Sequence, residues 1–296
     1  VTILAVKALT ESATALSDCG VRLFAVIGAQ RTGTNLLRET LNTNERIAML
    51  GEVLTPSPAP AHWDNFRRGL PDRCAHPMSF GEAEALLDRY FEFVRYRILN
   101  HWADSKKNLS RAFGVDIKYN QLSRLAPANW DPASPPFILC YLQSRGAALI
   151  HTTRNVIHSA ISALIASRRN VWHNYDRSVI DRTYHIEVEG CVAYARTIVL
   201  YRDAFLRSAI DCRVVDCRYE NLIEDIGRAG KEEEIPEGEG PLRNIAAALG
   251  APFKFRYERR LQKAIDIPYS RLIENYDALV RRLKGSEFSA LVSTLE

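Results

Sequence analysis

Leu23-Phe-Ala-Val-Ile-Gly-Ala-Gln-Arg-Thr-Gly-Thr-Asn-Leu-Leu37 decides the fold of this chain. The run Leu23 to Ile27 is apolar and rich in branched and aromatic side chains, which predicts a buried parallel strand. A turn with two glycines, Gly28 and Gly33, follows. Leu36, Leu37, Thr40 and Leu41 then recur at three- and four-residue spacing, the period of a helix. Strand, glycine loop and helix form a geometry that binds phosphate. Loop N–H groups and the positive end of the helix dipole converge on one anion.

The two glycines fit the spacing G-x-x-x-x-G-K-[ST] of the nucleotide-binding P-loop. The next two residues do not, because Thr34-Asn35 stands where Lys-Ser/Thr would be. The lysine that reaches the outer phosphates is lost, and so is the hydroxyl that holds Mg²⁺. The positive charge lies inside the loop instead, at Arg31. Two readings stay open here: a phosphate cradle that works through an arginine without a metal, and an ordinary corner whose glycines serve only the turn.

Outward from the loop, strand-like and helical stretches alternate. Ile47 to Leu50 is a short apolar run that delivers Gly51-Glu52 to a strand end, where open α/β sheets place ligands. Further strands are expected at Phe113 to Lys118, Ala148 to Thr153 and Arg213 to Cys217. Helices are expected at Glu82 to Trp102, from Arg154 to about Trp172, and at Glu187 to Arg207, Leu242 to Leu249 and Arg271 to Leu283. This pattern predicts an α/β fold, a single P-loop-like domain over residues 1–296 whose central parallel sheet has helices on both faces. Residues 1–20 read as an N-terminal helical extension and 224–240 as a mobile acidic loop. The proline-rich stretch Thr55 to Ser79, with Trp63, Phe66, Arg67 and Arg68, reads as part of an acceptor pocket.

Composition narrows the function classes. A net charge of +4, from 39 basic and 35 acidic residues, is too mild to argue for nucleic acid. Cys19, Cys74, Cys140, Cys191, Cys212 and Cys217 form no C-x-x-C pair, so buried free thiols are favoured over a zinc site or disulfides. No stretch approaches the roughly 20 apolar residues of a membrane span. No leader with a basic flank and compact apolar run is recognisable, so a cytoplasmic protein is expected.

A second stretch, Arg154-Asn-Val-Ile-His-Ser-Ala-Ile-Ser162, puts an arginine at a strand end and a serine about two helical turns on. Positions i and i+8 lie near one face, so the planar donors of Arg154 and the Ser162 hydroxyl can clamp one phosphate. With both stretches in hand, the chain resembles the sulfotransferases that use 3′-phosphoadenosine-5′-phosphosulfate (PAPS). Gln30 to Leu37 is similar to their 5′-phosphosulfate loop, and Arg154 to Ser162 to their 3′-phosphate motif, with Val156 where many relatives carry proline. Arg218-Tyr-Glu-Asn-Leu222, the helix at Leu242 to Leu249, and Ile273-Glu-Asn-Tyr276 are weaker echoes. The last of these is similar to bacterial carbohydrate enzymes of the nodulation-factor type, to which the resemblance is closest. The segment Arg218 to Leu222 reads as a structural strand end.

The resemblance implies sulfuryl transfer from PAPS to an acceptor hydroxyl, on a saccharide or lipid-linked saccharide, with adenosine 3′,5′-bisphosphate as the other product and no metal. It implies donor contacts from Arg31, Thr32, Gly33, Thr34 and Asn35 at one end and from Arg154 and Ser162 at the other. Glu52 is the candidate general base, and Lys118 could touch the sulfonate or pair with Asp116. His62, His101, His151 and His158 are alternative bases, and Trp172-His173 could border the acceptor. A P-loop-like kinase or NTPase, and a non-catalytic nucleotide-binding module, are the rival readings.

Overall fold

The computed structural model describes residues 20–57, 59, 61–70, 79–101, 111–169, 183–228, 234–256 and 267–295, with side chains of the helix at 80–101 described through 96. The expected N-terminal helix, Trp172-His173 and the side chain of His101 lie outside the described residues.

Five strands form one parallel sheet: β1 (Arg22–Gly28), β2 (Ile47–Glu52), β3 (Ala112–Lys118), β4 (Ala148–Thr153) and β5 (Arg213–Arg218). Their order is β2-β3-β1-β4-β5, with β1 bonded in parallel to both β3 and β4. β1 is central because Phe24, Ala25, Val26 and Ile27 are all fully buried, and a strand covered on both faces can carry an unbroken apolar run. Alternation divides it. Leu23, Ala25 and Ile27 join one core, and Phe24 and Val26 join the other.

Ten α-helices are assigned among the described residues: α1 (Thr34–Asn42), α2 (Trp63–Arg68), α3 (Phe80–His101), α4 (Phe137–Ser144), α5 (Val156–Arg169), α6 (Val188–Ser208), α7 (Tyr219–Gly227), α8 (Pro241–Leu249), α9 (Tyr269–Leu272) and α10 (Tyr276–Lys284). Leu86, Leu87, Tyr90, Phe91 and Val94 of α3 cover the first face of the sheet, together with α4, α5 and α6. A reciprocal capping box starts α3: Glu82 N–H donates to Ser79 Oγ at 3.3 Å, and Ser79 N–H to Glu82 Oε2 at 3.1 Å. Leu37 and Leu41 of α1, Leu222 and Ile226 of α7, and Leu242, Ile245 and Leu249 of α8 cover the second face. The helix after β1 therefore goes to one face and the helix after β4 to the other. The crevice between these neighbouring strands is the topological switch point, where open α/β sheets hold ligands.

Three expectations change. The proline-rich stretch contains α2, whose Trp63 and Phe66 are buried at 5% and 7% exposure and pack edge-on and tilted against Tyr90; they are core, not pocket wall. The helix expected at Arg271 to Leu283 is broken at Ile273 to Asn275. There Ile273 bridges Tyr184, and Asn275 Oδ1 accepts from Ile186 N–H at 2.9 Å, so a tertiary pairing takes the backbone from the helix. The acidic stretch 224–240 begins inside α7, where Asp225 and Ile226 are buried. It ends with Glu234 bridged to Arg256 and Ile235 packed in the second core. Among the described cysteines, Cys140, Cys191, Cys212 and Cys217 are free thiols.

Candidate functional site

The loop after β1 owes its shape to backbone that few residues adopt. Gly33 has φ +86 and Arg31 has φ +66, both left-handed. At Gly33 a glycine is required twice over, since a Cβ would also fall 2.3 Å from the ring of Tyr219. Gly28 is required by crowding alone, because a Cβ there would lie 2.1 Å from Thr152 Oγ1. Gly33 caps α1 without a side-chain hydrogen bond, and the first turn of α1 carries no acidic residue. The positive end of that helix is thus left to backbone N–H groups, as an anion site requires.

The loop threonines turn inward. Thr32 Oγ1 donates to the Ala29 carbonyl at 2.9 Å and lies 3.1 Å from Thr152 Oγ1. Thr34 Oγ1 accepts from Lys118 Nζ at 2.7 Å. What Thr32 and Thr34 offer a ligand is the main chain, while their hydroxyls brace the loop against β4 and β3.

Lys118, at the end of β3, is 1% exposed and also bonds Asp116 Oδ2 at 2.9 Å and approaches Glu52 Oε1 at 3.5 Å. Glu52 reaches this cluster through an irregularity in β2. Met49 pairs with Gly114, yet Glu52 pairs with Asp116, so three steps on β2 match two on β3. Without the bulge at Leu50-Gly51, Glu52 would stand beside Ile117 and point to the other face. Thr55 Oγ1 donates to Glu52 Oε2 at 2.9 Å, Gln121 Nε2 donates to Thr55 Oγ1 at 2.9 Å, and Gln121 Oε1 accepts from Lys118 N–H at 2.9 Å. Burial pushes the Asp116 carboxyl up, the nearby Lys118 ammonium pulls it down, and Glu52 adds to the rise.

The other side of the loop meets the second motif. Arg31 Nε donates to Ser162 Oγ at 3.1 Å, and Arg154 Nη1 donates to the Arg31 carbonyl at 3.1 Å. Burial, then the neighbouring Arg154 charge, pulls the Arg31 guanidinium below its ordinary range; Tyr219, Tyr194 and Glu52 act in the opposite sense. Arg154 Nε is buried with no hydrogen-bond partner among the described residues. The N-terminus of α5 is closed: Asn155 Oδ1 accepts from Ile157 and His158 N–H at 3.0 and 3.3 Å. Two arginines held this close, one with an orphaned donor, form a site that an anion would relieve.

The structure therefore gathers Glu52, Lys118, Thr34, Arg31, Ser162 and Arg154 around one loop. The histidines stand apart. His151 is buried on the opposite face of the sheet from Lys118, between Tyr119 Oη at 2.7 Å and Asp216 Oδ1 at 3.1 Å. His158 Nε2 lies 2.9 Å from the Thr294 carbonyl. His62 is nearer, with Nδ1 at 2.6 Å from the carbonyl of Thr55, the residue that bonds Glu52. Sequence reasoning missed Thr55, Gln121, Tyr194 and Tyr219. Of these, Thr55 and Tyr219 stood in stretches that had drawn notice, the proline-rich segment and the end of β5.

Among the described residues no cluster of three or more His, Cys, Asp or Glu side chains could hold a metal, and no helix is long and apolar enough to cross a membrane. No curated protein sequence matches the chain. Its structure is similar to the crystal structure of a sulfotransferase from Alicyclobacillus acidocaldarius, with 16% identity and a TM-score of 0.43 over 91% of this chain and 95% of that one. The sequence matches the sulfotransferase family over residues 24–229, which spans the loop, Glu52, Lys118 and the Arg154 to Ser162 motif. That match runs through well over half of the 296 residues, and the chain belongs to the sulfotransferase family.

Proposed function

We propose that the donor is PAPS and the acceptor a hydroxyl of a carbohydrate or glycolipid. The observation that carries the donor reading is the pairing of two anion-binding elements across the switch point. One is the uncapped N-terminus of α1 behind the Arg31 loop, and the other is Arg154 with its orphaned Nε, bonded to the Arg31 carbonyl while Arg31 Nε bonds Ser162. A nucleotide phosphorylated at both its 5′ and 3′ ends presents two anions to two such elements. In this reading the N–H groups of Thr32 to Asn35 and Arg31 hold the 5′-phosphosulfate, and Arg154 and Ser162 hold the 3′-phosphate.

Glu52 accepts the proton of the acceptor hydroxyl as its oxygen bonds to sulfur. The bond from sulfur to the bridging phosphate oxygen breaks, and that oxygen leaves on adenosine 3′,5′-bisphosphate. Lys118, fixed by Asp116 and Thr34, and Arg31 stabilise the charge that develops there. The loop carries Asn35 where a Mg²⁺-binding hydroxyl would stand, so transfer is expected to survive chelation.

The test is transfer of label from ³⁵S-PAPS to a panel of desulfo-saccharides and glycolipids, with and without EDTA. The expected result is metal-independent labelling of a saccharide hydroxyl. Labelling confined to non-carbohydrate acceptors would overturn the acceptor. Phosphoryl transfer from Mg²⁺-ATP without any sulfuryl transfer would overturn the donor.

A further inference from the structure

The turn from β5 into α7 touches both halves of the donor site, although it belongs to neither motif. The Tyr219 ring lies under the Arg154 guanidinium, 4.4 Å from its centroid to Cζ. The same ring covers Gly33 so closely that a Cβ there would meet its Cδ2 at 2.3 Å. Tyr219 is thus a spacer between the left-handed glycine of the phosphate loop and the arginine of the second motif. Its neighbour completes the hold. Glu220 Oε1 accepts from Asn155 N–H at 3.1 Å, and Glu220 Oε2 accepts from Arg218 Nε at 3.0 Å. Burial opposes ionisation of Glu220, but hydrogen bonds from the Asn155 N–H, from its own backbone and from Arg218 outweigh it and hold the carboxyl below its ordinary range.

We propose that Tyr219 is a specificity-determining positioning residue: it presets Arg154 at a fixed distance from the loop, and so selects donors by their second phosphate. The proposal rests on the reading of Arg154 as the 3′-phosphate ligand. A free arginine must lose rotamer freedom when it meets a phosphate. Arg154 is already ordered by an aromatic face on one side and by the Arg31 carbonyl at 3.1 Å on another. The ordering cost then falls on folding rather than on binding, and only a ligand that reaches Arg154 gains from it. Because the ring also covers Gly33, it packs between the two anion elements and adds to the Arg31–Ser162 and Arg154–Arg31 bonds that tie them directly.

The experiment is calorimetry of adenosine 3′,5′-bisphosphate and adenosine 5′-phosphate with wild type, Tyr219→Phe, Tyr219→Leu and Arg154→Ala. Tyr219→Leu keeps most of the buried volume and removes the aromatic face; thermal melts confirm that each variant is folded. Wild type and Tyr219→Phe are expected to share one preference for the bisphosphate. Tyr219→Leu should lower that preference by on the order of tenfold, as expected for loss of a desolvated cation–π contact and the order it imposes. Adenosine 5′-phosphate should bind within about twofold of wild type, since it makes no use of Arg154. Combined with Arg154→Ala, Tyr219→Leu should change the preference no further. An unchanged preference in Tyr219→Leu, or an equal loss for both ligands, overturns the proposal while leaving the donor reading intact. A wild type with no preference for the bisphosphate overturns both.

Discussion

The two halves of the proposed donor site are built to meet an anion in opposite ways. At the Arg31 loop the helix behind it, α1, has no side-chain cap and no acid in its first turn, so an anion there would meet the main chain, while the threonine hydroxyls serve as struts. At Arg154 the helix behind it, α5, is capped by Asn155, so only side chains remain to bind, and they are ordered by residues from elsewhere. The first half is a property of local backbone. The second is a property of tertiary packing. Substitutions should therefore act differently on the two sides, with chemistry and stability sensitive on the first and selectivity on the second.

The largest effect is expected at the edge of the first half. Glu52→Gln keeps size and hydrogen bonding but cannot take the acceptor proton, so single-turnover transfer at saturating PAPS should fall by about 10²–10⁴-fold. Donor affinity, measured in parallel, should hardly change. A rate near wild type would move the base to His62, which sits beside Thr55. A collapse of donor affinity would make Glu52 a prop for the loop.

Lys118→Met tests whether the first half is also structurally expensive to disturb. It leaves Asp116, 1% exposed and 2.9 Å from the ammonium, without its counter-charge. Removing one partner of a buried pair costs roughly 3–5 kcal/mol, and urea unfolding should show a loss of that order. Adding Asp116→Asn should restore part of it, because the stranded charge is then gone. A single variant as stable as wild type would show that the cluster carries little of the fold's stability.

In the second half the expected losses are in binding. Arg154→Ala should weaken adenosine 3′,5′-bisphosphate by about tenfold to a hundredfold, at roughly 1.5–3 kcal/mol for a charged hydrogen bond. Ser162→Ala should do less, since its hydroxyl also serves Arg31 Nε. Neither should alter binding of adenosine 5′-phosphate appreciably. Equal losses for both nucleotides would erase the distinction between the halves.

The smallest effect serves as a control outside both. His151 lies on the far face of the sheet, where burial keeps its imidazole below its ordinary value despite Asp216. Its folded-state affinity for a proton is depressed, so the unfolded chain protonates first as pH falls. The stability it contributes is full above about pH 6.5 and is lost as pH falls towards the folded value. Replacing it, as His151→Phe, should flatten that part of the melting-temperature profile between about pH 7 and 5. An unchanged slope would mean that other groups govern acid sensitivity.

The same contrast explains what the sequence made legible. The loop could be read because strand, glycines and helix are consecutive and each answers a local steric demand, such as φ +86 at Gly33. The place of Arg154 and Ser162 in the fold could be read because a strand and the helix that follows it are consecutive in sequence. The bulge that turns Glu52 toward Lys118 could not, since it is set by the pairing of β2 with β3 rather than by any residue of β2 alone. Tyr219 was undervalued because its partners, Gly33 and Arg154, are far from it in sequence. Trp63 and Phe66 were misplaced because prolines on either side hid a six-residue helix, α2. The break at Ile273 was invisible because the apolar period runs on through it while Tyr184 takes the backbone.

The most direct test of the two-anion site is calorimetry of the wild-type protein in EDTA with adenosine 3′,5′-bisphosphate and adenosine 5′-phosphate, set beside ATP with Mg²⁺. The arrangement of Arg31 and Arg154 predicts that the bisphosphate binds at least about tenfold more tightly than the monophosphate without any metal, one charged contact being worth that much. Equal affinity for the two, or tight binding of Mg²⁺-ATP alone, would contradict it.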